Sequence, residues 1–358
     1  MANSSKPPIS IISQVLLWPF TVLYKNIVRF RNYLYDTGYQ KTIDFTPFII
    51  SVGNLNVGGT GKSPMIEYLT DWLLQENYSE AILSRGYGRK TRGMRLATDE
   101  DSAETLGDEP YQFYRKYQQK SVAVAVAEER VLGVPEIMHH HPKTQVVLLD
   151  DAYQHRAIAR NINLLLTSFD RPFYQDWVLP AGRLRESRSG AKRASAVIIT
   201  KCPDNLTSDQ QKKIANHISQ YTKPNTPVFF SGIRYADPKP VFEKAEMKEI
   251  VIAFSGIARP KLFQQYVQHH FLTQEYITFA DHHRYTEKDI KNLRKRAQAE
   301  NVCLMTTEKD MVKMISGPLT QQWQTLPLFY IPIQTNFLPD DTGFTNWLRQ
   351  QMPTPAET

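Results

Sequence analysis

Cysteine is nearly absent from this chain: two residues in 358, Cys202 and Cys303, far apart and without metal-ligand spacing. That excludes a disulfide framework and a cysteine-built zinc site, and leaves free thiols in a reducing compartment. A membrane-spanning run is missing too. The N-terminal stretch from Ile9 to Tyr24, ISIISQVLLWPFTVLY, stays uncharged for sixteen residues and is interrupted by Pro19, whereas a spanning helix wants roughly 20 apolar residues. No small-residue cleavage site follows it, because KNIVRFRNYLYDTG comes next, which excludes a cleaved signal peptide. No internal repeat is visible. Acidic side chains are outnumbered, 36 Asp and Glu against 43 Lys and Arg, for a net charge of +7. The excess suits anionic partners such as phosphates, acidic headgroups or nucleic acid, and sign alone does not choose among them.

What is present is ordinary globular composition, 41% hydrophobic and 22% charged, with enough chain for one large core or two moderate ones. The uncharged N-terminal stretch, backed by Lys25, Arg29 and Arg31, is expected to lie as a helix in a membrane interface. Trp18, Phe20 and Tyr24 would then sit at headgroup depth; a first helix packed on the body of the protein is the alternative. Beyond residue 45, apolar runs alternate with helical patterns. PFIISVG (47–53), AILSRG (81–86), VAVAVA (122–127), VVLLD (146–150), INLLLTS (162–168) and AVIIT (196–200) have the texture of strands covered on both faces. The expectation is an α/β protein with a P-loop NTPase-like, mostly parallel sheet core over 46–220, after an N-terminal segment over 1–45. A proline-rich hairpin linker over 221–249, a smaller C-terminal α/β lobe over 250–345 and a tail over 346–358, disordered in its last stretch MPTPAET, complete it.

Two stretches carry phosphate chemistry. In NVGGTGKS (56–63) a strand runs into glycines and then a helix, the geometry that presents backbone N–H groups to phosphates. Asn56, Val57, Gly58, Gly59, Thr60, Gly61, Lys62 and Ser63 would cradle them, Lys62 reaching the terminal phosphates and Ser63 offering its hydroxyl to Mg²⁺. Asn56 stands where the strict pattern has glycine, and asparagine tolerates positive φ. VVLLDDAYQHR (146–156) ends a buried strand in Asp150 and Asp151. Asp150 is the expected metal-orienting carboxylate, while for Asp151 a helix N-cap is an equal alternative. Other polar stretches follow: SRGYGR (84–89), LGDEPYQ (106–112), LPAGRLRES (179–187), FADHHRYTEKD (279–289) and TTEKDMVK (306–313). Asp281, His282 and His283 at a strand end could orient a proton acceptor or a metal, whereas His139–His141 fit a helix C-terminus. AVIITKCPD (196–204) faintly suggests a guanine-reading box, which would make the chain a GTPase; a non-enzymatic membrane adaptor is a further alternative.

In this order, VGNLNVGGTGKSP, SRGYGR, GDEP, LLDDAYQHR, LPAGRLRES, FADHHRY and TTEKD resemble one family, the tetraacyldisaccharide 4'-kinases, over about residues 10–315. The resemblance implies transfer of the ATP γ-phosphate to the 4'-hydroxyl of a tetraacylated glucosamine disaccharide 1-phosphate, at the cytoplasmic face of a bacterial inner membrane. It implies ATP and Mg²⁺ as cofactors, a glycolipid substrate and a membrane surface as partners, with no nucleic acid and no obligatory protein partner. It assigns Lys62 and Ser63 to phosphates and Mg²⁺, Asp108 to the catalytic base, and His282, in preference to His283, to its support. Asp150, Asp151 and Glu186 are carried to the metal and Arg185 to charge stabilisation; Arg85, Tyr87, Arg130 and His283 are carried toward the disaccharide. The chain departs from the commoner family form at Ala152 and Tyr153, where Gly and Phe are usual, and at Arg183, where proline is usual.

Overall fold

The computed structural model describes residues 11–243, 245–298 and 301–355, with side chains of the first helix from residue 16 onward. Ile9 and Ser10 of the apolar stretch and residues 356–358 of the expected tail lie outside the described residues. The architecture is α/β, as the alternating pattern requires. Its division is not the expected series of contiguous lobes. One compact unit takes the chain up to Arg85, then Ser121–Ile233 and Thr335 onward; the other takes Gly86–Lys120 and Arg234–Gln334.

In the first unit the strands stand in the order 333–338, 228–235, 196–200, 162–168, 48–54, 146–150, 80–84, 123–126. Pairing is parallel from 123–126 across to 196–200, and on to Val228–Phe230. Strands Ile162–Ser168, Val146–Asp150 and Ala196–Thr200 are buried at every position, which is why they are apolar runs without alternation. Phe48–Asn54 lies at the point where the order reverses: later strands extend the sheet past 162–168 on one side and past 146–150 on the other. Ligands of open α/β sheets bind at the carboxyl ends of strands at such a point. The helix Lys62–Gln75 leaves that end and buries Met65, Ile66, Leu69, Trp72 and Leu73, an i, i+3, i+4 stripe against the sheet.

Two expectations are corrected here. The stretch 221–249 is no hairpin: Val228–Tyr235 joins the large sheet, while Lys239–Pro240 pairs antiparallel with Phe329 and Tyr330 in the other sheet. Pro238 before this very short edge strand and Pro240 within it suit its place at the sheet edge. The chain after 345 is also no tail, because Thr342–Gln351 is a helix burying Phe344 and Leu348. Phe344 stacks on Phe337 at 4.3 Å, and Arg349 pairs with Glu76 at 2.6 Å, so aromatic packing returns the C-terminus to the first unit.

The N-terminal helix, Ile11–Asp36, docks one face on the first unit. Thr21 is buried and its hydroxyl accepts the Ala181 N–H at 3.1 Å. Tyr24 donates to the Arg185 carbonyl at 2.9 Å, and the Asn32 amide donates to Glu186 at 3.0 Å. Tyr24 therefore faces protein rather than headgroups, which corrects that expectation. Leu16, Phe20, Leu23, Ile27 and Phe30 remain exposed along the rest of the helix. No described helix is long and apolar enough to cross a membrane.

The second unit holds a sheet ordered 272–278, 250–255, 302–307, 328–331, 239–240, parallel except for its last pairing. Ile252 and Phe254 enter one core with Ile290, Leu304 and Trp323. Val251 and Ala253 enter another with Phe263, Val267 and Met305, as the two-residue period of a strand demands.

Candidate active site

The phosphate loop is braced from below. Gly58 and Gly61 have positive φ, 113° and 83°, and Gly61 leads into the helix that begins at Lys62. The Asn54 amide donates to the Thr60 hydroxyl at 2.7 Å, the Thr200 hydroxyl to the Thr60 carbonyl at 2.8 Å, and the Lys201 ammonium to the Gly59 carbonyl at 2.7 Å. The Thr-Lys pair that suggested a guanine box thus has a structural task that does not depend on the base. Asn56 does not use the positive φ expected of it: it is absent from the positive-φ residues, is buried, and bridges Leu184 in extended conformation. Its amide donates to Asp176 at 3.1 Å. A backbone that is extended here needs no glycine.

Asp150 and Asp151 form the tip of the strand beside the loop. Asp150 is buried, with the Ser84 hydroxyl donating to its carboxylate at 2.9 Å. Asp151 turns at φ 45°, a left-handed position that aspartate tolerates, and gathers two cations: Lys62 at 3.6 Å and the Arg185 guanidinium at 3.0 and 3.1 Å. The turn can lie this close only because Gly53 has no side chain. A Cβ there would stand 2.7 Å from both the N and the Cβ of Tyr153. Gln154 ties the cluster together, donating to the Asn54 carbonyl at 2.9 Å and to Glu186 at 3.1 Å.

Two assignments in this unit are corrected. Arg130, expected to face the disaccharide, is buried and donates to the carbonyls of Asp150 at 2.9 Å and Asp151 at 3.2 Å; burial pulls its guanidinium below the ordinary arginine value. Glu186, expected at the metal, is 1% exposed and its oxygens accept from Arg193 at 2.7 Å, Gln154 and Asn32. Those donors make it an anchor between the first helix and the catalytic loop. Ser63 and Asp150, both buried beside the loop, fit a magnesium ion carried in by phosphates, since Mg²⁺ needs only one or two protein carboxylates. Among the described residues no cluster of three or more His, Cys, Asp or Glu is arranged as a metal cage. Two of the three family departures find partners: the Tyr153 hydroxyl donates to the Gly190 carbonyl at 2.9 Å, and the Arg183 N–H, which proline would lack, donates to Asp176 at 3.2 Å.

The second unit brings Asp108 and His282 together. Gly107, at φ 95°, separates the helix Ala103–Leu106 from Asp108–Tyr117, and a Cβ on it would stand 2.9 Å from the Tyr87 carbonyl. The glycines of SRGYGR and GDEP thus mark one close backbone contact, which leaves Asp108 at the first position of its helix. His282 stands with its Nδ1 3.6 Å from the Asp108 carboxylate. That carboxylate, with Asp281 adding to it, holds the imidazole above its ordinary pKa against the opposing effect of burial. His282 sits at φ 55°, and its N–H donates to the Gly256 carbonyl at 3.1 Å. Gly256 in turn donates its N–H to Asp310 at 2.9 Å, and Asp310, fully buried, also accepts from Thr307 and Lys313. Tyr87 is exposed, its ring 6.4 Å from that of His282. Arg85, in the first unit, is exposed at the end of its strand. His283 is placed otherwise than expected: it stacks on Phe279 at 4.7 Å and pairs with Asp289 at 3.1 Å.

The structure thus gathers Lys62, Asp150, Asp151 and Arg185 in one unit and Asp108 with His282 in the other. Sequence reasoning missed Ser84, Gln154, Lys201 and Asp310 as supports, although all four lie inside stretches whose polarity stood out.

Comparisons with known proteins identify the family. The family model described as tetraacyldisaccharide-1-P 4'-kinase matches residues 13–353. A tetraacyldisaccharide 4'-kinase of Flavobacterium johnsoniae is 41% identical, over 92% of this chain and 94% of its own. One of Cytophaga hutchinsonii is 40% identical, over 94% and 95%. The crystal structure of LpxK from Aquifex aeolicus in complex with ATP superposes with a TM-score of 0.72 at 27% identity, covering 95% of this chain and 99% of that one. With its phosphate loop, its paired aspartates and its aspartate–histidine pair in family order, this chain belongs to the tetraacyldisaccharide 4'-kinase family.

Proposed function

We propose that this protein transfers the γ-phosphate of ATP to the 4'-hydroxyl of tetraacyldisaccharide 1-phosphate, the kinase step of lipid A biosynthesis. The observation that carries the reading is the pairing of Asp108 with His282 in a chain whose phosphate loop presents Lys62. Bound Mg²⁺–ATP supplies the phosphoryl group, and Ser63 and Asp150 would hold its metal. Lys62 and Arg185, fixed by Asp151, neutralise charge on the transferring group, where such preorganised cations act. Asp108 accepts the hydroxyl proton, a contribution of roughly 10²–10⁴-fold for a positioned base. His282 orients that carboxylate and stabilises its charge. The test is incubation with labelled ATP and tetraacyldisaccharide 1-phosphate; a labelled 4'-phosphorylated lipid is expected, and hydrolysis of ATP or GTP with no labelled lipid would reject the reading.

The same reading places the protein at the cytoplasmic face of the inner membrane, held by the first helix. Its support is the exposed stripe Leu16, Phe20, Leu23, Ile27 and Phe30, which runs alongside the face docked through Thr21 and Tyr24. An amphipathic helix with basic residues lies flat in an anionic interface. Replacing Phe20, Leu23 and Ile27 by aspartate leaves the docked face intact and is expected to abolish flotation with vesicles containing anionic lipid; unaltered flotation would place the anchor elsewhere.

A further inference from the structure

A cavity of about 570 Å³ lies at the amino edge of the first unit's sheet. Its walls come from segments that lead into strands 162–168, 196–200 and 228–235, at the edge opposite the phosphate loop. Strands of five to seven residues separate the two edges, roughly 15–25 Å at about 3.3 Å per residue. Four basic side chains line it, Arg156, Arg160, Arg193 and Lys223, and no acidic one does. Arg156 is paired with Asp36, and Arg193 with Glu186, both outside the lining. Arg160 makes one side-chain bond, to the Tyr153 carbonyl. Burial, helped by the Arg193 charge, pulls its guanidinium down to about 10. Arg160 thus carries a positive charge with no carboxylate paired to it in a half-enclosed space, which an anion would stabilise, and Lys223 adds a second, solvent-exposed charge at the rim.

The uncharged atoms sharpen the ligand's chemistry. Asn163 lines the cavity, is 3% exposed, and its Oδ1 has no partner; its amide is committed to the Arg193 carbonyl at 2.9 Å, which fixes the carbonyl's orientation. The Arg193 Nε–H is likewise buried and unmatched. The site therefore offers several donors and one acceptor. An anion that only accepts, such as sulfate, leaves Asn163 unsatisfied, whereas a phosphate group with a hydroxyl of its own or on its alcohol satisfies both.

We propose that this cavity is a second anion site, distinct from the phosphate loop, which binds a hydroxyl-bearing phosphate monoester between Arg160, Arg193 and Lys223 with its hydroxyl on Asn163. The ligand chemistry is shared by a soluble glycerol phosphate and by the headgroup of a phosphatidic acid. Binding there bears on Arg193, whose other end holds Glu186, which in turn accepts from Asn32 of the first helix.

The test uses the full-length protein saturated with a non-hydrolysable ATP analogue, which fills the phosphate loop. Calorimetric titration with glycerol 3-phosphate reads the soluble arm; flotation with phosphatidylcholine vesicles, with and without phosphatidic acid, reads the lipid arm. A response in either arm is expected, weakened about tenfold or more by Arg160→Gln and about threefold by Lys223→Gln, as for a lost charge-assisted bond and a lost exposed charge. Lys223 is exposed on a loop, so its variant reports binding even if the half-buried Arg160→Gln variant does not fold. A calorimetric response lost in the variants assigns a soluble ligand, and a response to phosphatidic acid alone, lost in the variants, assigns the headgroup. No response in either arm, or responses that Lys223→Gln leaves unchanged, overturns the site.

Discussion

Carboxylates are treated differently in the two units. In the first, each one near the phosphate loop is committed: Asp150 to Ser84, Asp151 to Lys62 and Arg185, Glu186 to Arg193, Gln154 and Asn32. In the second, Asp108 stands a third exposed at a helix start with an imidazole at its side. The first arrangement fixes cations where charge must be held steady. The second leaves a carboxylate partly open to solvent beside an imidazole. Phosphoryl transfer asks for both, since its catalysis is positioning and electrostatics with one proton to remove.

The comparison can be broken most severely at Asp108. Asp108→Ala is expected to lower turnover by roughly 10²–10⁴-fold while ATP affinity, measured by calorimetry, stays within experimental error; equal loss of both would mean that Asp108 belongs with the committed carboxylates. Next comes Asp310, a fully buried and committed carboxylate behind the second unit's pair. Asp310→Ala strands the Lys313 ammonium, the Thr307 hydroxyl and the Gly256 N–H. About 3 kcal/mol of stability should go with it, read by urea denaturation, and a loss under about 1 kcal/mol would show that water replaces it. Lys201→Gln removes one brace of the phosphate loop and is expected to raise the KM for ATP about fivefold, near 1 kcal/mol, with kcat little changed. The smallest effect is a titration. Asp108 raises the His282 pKa, so the pair's contribution to stability is complete below about pH 6.5 and fades as pH climbs through the raised value. Asp108→Asn should move the His282 midpoint downward in an NMR titration, and an unmoved midpoint would uncouple the two residues.

The sequence made the first unit's chemistry legible because its strands are buried on both faces: long apolar runs end abruptly in polar residues, as at Asp150 and Gly53. The aspartate–histidine pair was legible only through the family resemblance, for Asp108 and His282 are distant in the chain and nothing local announces their meeting. Arg130 and Glu186 were misplaced for a common reason. A buried ion or guanidinium that serves backbone carbonyls or another side chain has the same one-letter appearance as one that serves a ligand, and only burial separates them. The second half of the C-terminal helix reads as tail in the sequence because only Trp347 and Leu348 are large and apolar there, and MPTPAET with its two prolines follows; the aromatic partners of this helix, Tyr68 and Phe229, are remote in sequence.

Gly53 has a consequence beyond its own position. Its missing side chain sets how near the strand tip approaches the turn at Tyr153, and that turn follows directly on Asp150 and Asp151, which the proposed function sets beside the nucleotide. An alanine there would act as a shim, pushing two rigid strand ends apart by a fixed increment that no rotamer change could take up. The tolerance of the phosphate site is in this sense machined into the sheet, upstream of every residue that performs the chemistry.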